Sequence, residues 1–299
     1  MPVKSILHEF VQSIATKLRA RNTTGNEEQE AWWLLEAITK TKKAALLTQT
    51  NISLTGDQEK TLEHWIGQYI NEKKPLQYIL GSVPFCSLEI IVEPPILIPR
   101  PETEEITLWL IDKIEQNTRN AIPAPPLAIL DLCCGSGCIG LALAKAFPQA
   151  TIIGTDINDK AIKLAQKNKA YNDISNITFI QSNLFDALEA QNQFDIIISN
   201  PPYLSQESYR KVSDEIRLWE DEQALVAQNH GLAIYEQIIP EAHKYLKKPH
   251  NNNTPQIVLE FGIDQSSGQL ENCLRENNFT DITMHKDLQD KPRWLAASQ

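Results

Sequence analysis

From Leu127 to the C-terminus the chain repeats one pattern, a short apolar run followed by a helical one, and that pattern leaves few folds open. Candidate strands are 128–132, 151–155, 177–180, 194–199, 256–260, 281–284 and 293–297, with helical stretches between them, notably 139–147, 159–168 and 232–246. Runs that are apolar throughout, instead of alternating with polar residues, belong to strands buried on both faces. Alternation of strand and helix implies a parallel sheet covered by helices on both sides. Ligands then bind at the carboxyl ends of the strands, near the point where strand order reverses.

The fourth strand of this series, FDIIIS, ends in Asn200-Pro201-Pro202-Tyr203. Two prolines donate no backbone hydrogen bonds and have fixed φ, so the turn is stiff and its carbonyls are free. An Asn, a free carbonyl and an aromatic can grip a small planar group that donates two hydrogen bonds. A primary amide or an exocyclic amine has that shape. A plain proline turn after a strand is the structural alternative.

The first strand runs into Asp131-Leu132-Cys133-Cys134-Gly135-Ser136-Gly137, followed by Cys138-Ile139-Gly140 and a helix. Gly135 and Gly137 permit a tight turn and close backbone approach to a ligand. The helix beginning after them offers free amides. Asp156, 19 residues after Gly137, ends the second strand, where an acid can accept both hydroxyls of a ribose. Gly135 to Gly140 also satisfies G-x-G-x-x-G, so a dinucleotide-binding dehydrogenase competes. Asp131, just before the loop, suits a positively charged donor better than a pyrophosphate. S-adenosylmethionine has such charge, in a sulfonium and an ammonium, and carries a ribose without phosphate. Cys133, Cys134 and Cys138 lack a nearby fourth ligand for a metal and read as small residues filling a tight loop, so no metal is expected.

The N-terminal 72 residues read as wholly helical, a small bundle for recognition or support. Val3, Ile6, Leu7, Phe10, Ile14 and Leu18 share one helical stripe. Thr24 with Glu27 and Thr55 with Gln58 have the spacing of capping boxes. Residues 73–99 have β-rich runs broken by Gly81, Pro84 and Pro94-Pro95, and read as a β-hairpin connector. Arg100-Pro101-Glu102-Thr103-Glu104-Glu105 opens a helix with Pro at its start and acids in its first turn. Residues 100–299 read as a single domain built around the sheet. The segments 117–126 and 251–253 read as loops.

Composition narrows the setting. The formal net charge is −10, from 28 Lys and Arg against 38 Asp and Glu, which argues against broad binding to a nucleic-acid backbone. No segment is long and apolar enough to span a membrane. Five cysteines make an odd count without a disulfide framework. A cytoplasmic protein with reduced thiols is expected.

Taken together these residues resemble the release factor glutamine methyltransferases, and the similarity covers nearly the whole chain. The segments 75–81 (PLQYILG) and 97–104 (LIPRPETE) are similar to that family's connector, Asp131 to Gly137 to its donor loop, Asp156 to its ribose acid, and Asn200 to Tyr203 to its substrate motif; Glu260-Phe261-Gly262 also fits. The resemblance implies an α/β fold: a Rossmann-like, seven-stranded class I methyltransferase domain, preceded by the helical bundle and hairpin connector. It implies S-adenosyl-L-methionine as cofactor, held by Asp131, Cys133, Cys134, Gly135, Ser136, Gly137, Asp156, Asn183, Leu184 and Asn200. It implies Asn200, Pro201 and Tyr203 as catalytic residues, with Pro202, Arg100 and Glu102 also on the substrate side. The implied substrate is the glutamine of the Gly-Gly-Gln motif in class 1 peptide-chain release factors, methylated on its side-chain nitrogen.

Cys133 stands where that family usually has Gly, and Asn183 where it usually has Asp, so a reshaped first turn is expected at Cys133. Other readings are a glutamine methyltransferase for a ribosomal protein, an adenine-N6 methyltransferase of nucleic acid, and a non-catalytic relative that binds release factors.

Overall fold

The computed structural model describes residues 4–21, 25–118, 126–189, 191–248, 254–262 and 267–299. They form two compact units, Met1–Gly81 with Ser213–Trp219, and Ser82–Val212 with Glu220–Gln299. Val3, Thr24, most of the loop at 117–126 and the Asn251–Asn253 tract lie outside the described residues.

The first unit is not wholly helical. A two-stranded antiparallel ribbon, β1 (Lys4–Ile6) and β2 (Asn51–Ser53), accompanies helices α1 (Leu7–Leu18), α2 (Glu27–Thr39), α3 (Lys43–Leu46), α4 (Gly56–Asn71) and α5 (Leu76–Leu80). Three-residue strands are too short to leave a period of two in the sequence, and Ile6 mimics the helical stripe that starts at Leu7. Leu7, Val11, Ile14 and Leu18 of α1 pack on Leu34, Leu35, Leu62 and Ile66. The second helix starts later than expected: its N-cap is Asn26, and Glu27 is its first residue. Thr55 does cap α4, accepting from the Gln58 N–H at 3.2 Å while the Gln58 side chain accepts from the Thr55 N–H at 2.9 Å. Residues 76–80, expected in the hairpin, are helical: Pro75, with its fixed φ, stands as N-cap ahead of the first turn, and Gly81 ends the helix at φ +86.

The hairpin itself is shorter, β3 (Ser82–Phe85) paired with β4 (Leu88–Ile91). Helix α6 (Pro101–Thr118) starts at the expected proline. The sheet region then runs β5 (Ala128–Leu132), α7 (Cys138–Ala146), β6 (Thr151–Asp156), α8 (Asp159–Tyr171), β7 (Ile177–Gln181), β8 (Ile196–Ser199), α9 (Gln206–Tyr209), α10 (Asp214–Trp219, in the first unit), α11 (Gln228–Gly231), α12 (Tyr235–Tyr245), β9 (Ile257–Glu260), α13 (Ser267–Glu276), β10 (Thr280–Lys286) and β11 (Pro292–Ser298). Strand order is β10-β11-β9-β8-β5-β6-β7, parallel except at β11, which is antiparallel to both neighbours.

Alternate residues of each strand serve opposite faces. Ile129, Ile196 and Ile198 meet Ile106 and Leu110 of α6 and Leu141 of α7, whereas Leu130, Leu132 and Ile197 meet Tyr235 and Ile239 of α12. From β5 the chain builds outward through β6 and β7, then returns to place β8 on the other side. The order therefore reverses between β5 and β8, which opens a crevice at their carboxyl ends.

Candidate functional site

Two loops reach that crevice from adjacent strands. Ser199 Oγ donates to the Leu132 carbonyl at 2.9 Å and ties the ends of β8 and β5 together. Asp131 is fully buried one residue earlier in β5; its Oδ2 accepts the Gly140 N–H at 2.9 Å. Its Oδ1 is buried with no hydrogen-bond partner among the described residues. Burial pushes the Asp131 carboxyl up to about 7, against the pull of the Gly140 bond and with a push from Asp156.

Cys133 has φ +59, a left-handed conformation that costs an L side chain roughly 1–2 kcal/mol. The cysteine thus holds the kind of turn that glycine enters freely, instead of the reshaped turn expected of it. The loop closes through the Cys134 N–H to the Thr155 carbonyl at 2.9 Å and the Gly137 N–H to the Cys134 carbonyl at 2.8 Å. Gly135, at φ +53, has nothing within 4 Å of where a Cβ would sit, so its backbone is open to a ligand. Gly137 serves packing instead: at φ +81 a Cβ there would lie 2.7 Å from the Phe179 ring. Cys134 and Cys138 are buried, and burial raises their thiols above the usual range, which keeps them protonated.

Asp156 ends β6 with both oxygens engaged: Oδ2 accepts the Gly135 N–H and Oδ1 the Asn158 N–H, each at 2.9 Å. Its pKa is raised, mainly by burial, against these two bonds. Each oxygen retains a lone pair for a further donor. Asn183 is exposed and donates from Nδ2 to Asp186 Oδ2 at 3.0 Å. Leu184, at φ +49, presents a carbonyl that accepts the Thr155 hydroxyl at 3.2 Å.

Asn200 follows β8. Its Nδ2 donates to Thr103 Oγ1 at 3.1 Å, and Thr103 donates to Glu260 Oε2 at 2.8 Å. Pro201 is buried. The turn is pinned by the Tyr203 and Leu204 N–H groups, which donate to the Leu225 carbonyl at 3.2 and 2.8 Å. Burial, then the negative charge of Glu260, pushes the Tyr203 phenol above its ordinary value and keeps it neutral.

A cavity of about 290 Å³ joins these parts, with Cys133, Gly135, Asp156, Asn183, Leu184, Asn200 and Pro202 in its wall. The other residues singled out from the sequence are not in that wall. Asp131, Cys134, Ser136 and Gly137 form the buried back of the loop. Pro201 is buried, and Tyr203 packs against the core cluster that contains Tyr235. Arg100 is turned to Glu220, with Nη2 2.5 Å from Oε2. Glu102 is half-buried among Tyr203, Glu260 and Arg293.

Sequence reasoning missed Ile96 and Leu97 from the connector, and also Asn158 and Asp221. Asn158 Nδ2 donates to Asp221 Oδ2 at 3.1 Å, and the Asp221 N–H donates to the Pro95 carbonyl at 2.8 Å, so three loops meet at one rim. Asn158 was detectable as the N-cap of α8. Asp221 carries no local signal, because it reaches the rim only through the tertiary path of its loop.

The lining tests the ligand. It holds two acids, Asp156 and Asp221, and no Lys or Arg among its residues. A pyrophosphate finds no cation there. A cationic adenosyl donor finds acids, an open glycine backbone at Gly135 and, behind the loop, the unpartnered Asp131 oxygen. The residues fit S-adenosylmethionine and not a dinucleotide.

Known proteins agree with this geometry. The PrmC N-terminal domain family matches residues 9–81, and the Methyltransferase small domain family matches residues 107–226. The release factor glutamine methyltransferase of Flavobacterium psychrophilum is 34% identical over 99% of this chain and 98% of its own. That of Fusobacterium nucleatum is 31% identical over 93% of this chain and 75% of its own. Among solved structures, the N-terminal domain of human METTL16 in complex with SAH is 17% identical with a TM-score of 0.52, covering 93% of this chain and 96% of that one. The hMettl16 catalytic domain with a MAT2A 3'UTR hairpin is 18% identical with a TM-score of 0.54 over 82% of each chain. At such identity the likeness concerns the fold, that of class I methyltransferases.

Proposed function

This chain belongs to the release factor glutamine methyltransferase family, and from that premise we propose that it methylates the side-chain amide nitrogen (N5) of the glutamine in the Gly-Gly-Gln motif of class 1 peptide-chain release factors. The enzyme is an S-adenosylmethionine-dependent methyltransferase. One observation carries the choice of substrate: the Asn200 carboxamide, its nitrogen held by Thr103, stands in the wall of the cavity that also contains Asp156.

When bound, S-adenosylmethionine supplies an electrophilic methyl carbon on a sulfonium. The residues of the chain solve the other half of the problem. An amide nitrogen is a poor nucleophile because its lone pair is delocalised into the carbonyl. Asn200 Oδ1 and the Pro201 carbonyl accept the two amide hydrogens, which orients the nitrogen. Acceptors on both hydrogens favour the pyramidal, more positive nitrogen that forms as the new bond is made, so they act on the transition state. Holding two bound reactants in alignment removes about 7–11 kcal/mol of barrier in favourable cases. Methyl transfer leaves the amide nitrogen positively charged, and this N-methylated cation readily releases one N–H proton to water to give the neutral N-methyl amide, so no strong base is required. Asp156 takes the ribose hydroxyls, and the positive charge of a bound donor favours ionisation of the buried Asp131, whose carboxylate then sets a negative potential beneath it. The helical first unit, which carries the PrmC N-terminal match, is assigned to recognition of the release factor.

The test is direct. Purified protein is incubated with labelled donor and, in parallel, class 1 release factors, ribosomal protein, DNA and RNA; mass spectrometry maps the label. Label on the Gly-Gly-Gln glutamine is expected. Label only on a ribosomal glutamine or on adenine would replace the proposed substrate, and donor binding without any transfer would make the chain a non-catalytic relative.

A further inference from the structure

Behind Asn200 lies a buried chain of hydrogen bonds that reaches from the cavity wall into the sheet. Thr103, in the first turn of α6, is 2% exposed, and so is Glu260, the last residue of β9. The Glu260 carbonyl is anchored by the Tyr235 hydroxyl at 2.6 Å, so the carboxylate springs from a fixed backbone. Thr103 Oγ1 lies 2.8 Å from Glu260 Oε2 and 3.1 Å from Asn200 Nδ2. The Thr103 carbonyl is bound in turn by the Thr107 hydroxyl at 2.8 Å.

A threonine hydroxyl has one proton and two lone pairs, and an ionised carboxylate only accepts. Toward Glu260, Thr103 must therefore donate. Its proton is then spent, and toward Asn200 it can only accept. A carboxamide offers an NH2 at one end and an oxygen at the other. With the NH2 engaged by Thr103, the oxygen is the end left for the cavity. An Asn turned the other way would present NH2 to NH2 and repel the substrate it has to align.

We propose that Thr103 and Glu260 are positioning residues for methyl transfer: the carboxylate fixes the direction of the threonine hydroxyl, and the hydroxyl fixes which end of Asn200 faces the acceptor nitrogen. This rests on the reading above, in which the acceptor is an NH2 group. The relay has a titratable end. Burial raises the Glu260 carboxyl to about 7, with the Thr103 bond and Arg293 opposing. The groups facing it are Arg293 of β11, Arg100 and Glu102 at the start of α6, Tyr203 after β8, Tyr235 of α12 and Cys138 of α7. Protonated, Glu260 donates to Thr103, which frees the threonine proton to turn toward Asn200 and removes the preference between its two ends.

The experiment compares wild type, Thr103→Val, Thr103→Ser and Glu260→Gln at saturating donor. Thr103→Val keeps the shape and loses the relay. Its kcat should fall on the order of ten- to a hundred-fold, the scale of a hydrogen bond to a charged group, with donor Kd and melting temperature little changed. Thr103→Ser should restore kcat. In wild type kcat should rise with pH as Glu260 ionises, and Glu260→Gln should flatten that limb. An unaltered kcat in Thr103→Val, or an unaltered pH limb in Glu260→Gln, overturns the relay; if Thr103→Val does not fold, the pH limb decides. Wild type that labels no release factor overturns the substrate reading instead. The relay is then judged from the Asn200 side-chain NH2 resonances, which should move in Thr103→Val and keep their wild-type positions in Thr103→Ser.

Discussion

At the scale of single residues the cavity brings into one wall the acid and the Asn that the sequence reading had given different tasks, Asp156 toward the donor and Asn200 chiefly toward the acceptor. In the proposed reading Asp156 serves the donor; each of its carboxylate oxygens already accepts one backbone N–H. In the same reading Asn200 serves the acceptor, and its nitrogen is turned to Thr103. Asn200→Ala should lower turnover on the order of a hundred-fold or more, the cost of losing one group aimed at a transition state, while the donor Kd from calorimetry stays nearly constant. Asp156→Ala should do the reverse, weakening the donor by about 1.5–3 kcal/mol, the scale of hydrogen bonds to a charged acceptor. Equal losses of turnover and donor affinity in both variants would show that the two tasks are not separate. The motif after β8 could be read from the sequence because two prolines and an Asn at the end of a buried strand make little structural sense otherwise. Thr103 and Glu260 fell in segments similar to the family, but their link to Asn200 could not be read, since it rests on a bond between residues 157 positions apart.

Among the elements, the loop between β5 and α7 has glycines of two kinds. Gly135 faces open space, and Gly137 sits against the Phe179 ring. Gly137→Ala places a Cβ 2.7 Å from that ring at φ +81, combining left-handed strain with overpacking, so it should destabilise the protein by about 2 kcal/mol or more. Urea denaturation checks this; an unchanged midpoint would mean that Phe179 moves aside without cost. The strands of the sheet were legible to within a residue or two; inner strands such as β8 and β9 are buried throughout and read as continuous apolar runs, whereas the edge strands β7 and β10 are partly exposed and gave a weaker signal. The N-terminal ribbon and the short helix α5 were not. Each has five residues or fewer, less than the length over which either periodicity becomes distinct, and tertiary pairing selects their form.

For the molecule as a whole, two buried carboxyls give stability a pH dependence of defined sign. Asp131 and Glu260 are both raised to about 7 by burial, above the unfolded values of about 3.9 and 4.3. Between those limits the folded chain holds protons that the unfolded chain has lost. Their contribution is complete below about pH 4 and is lost as pH rises through 7, at up to about 1.4 kcal/mol per pH unit for each group. Across pH 5 to 8, wild type should therefore lose urea stability relative to the Asp131→Asn/Glu260→Gln double variant. Parallel curves for the two proteins would mean that neither carboxyl is protonated in the folded state.

What the amino-acid order determined by itself was everything that local physics can write. That includes the alternation of strand and helix, the glycine turn after β5, the acid at the end of β6 and the stiff turn after β8. These depend on burial pattern and backbone freedom within a few residues. Tertiary structure alone decided which side chains face the cavity, which acids are buried deeply enough to keep a proton near neutrality, and which end of the Asn200 amide is presented. Those properties arise from contacts between segments far apart in the chain, where one hydroxyl proton can be given to only one neighbour.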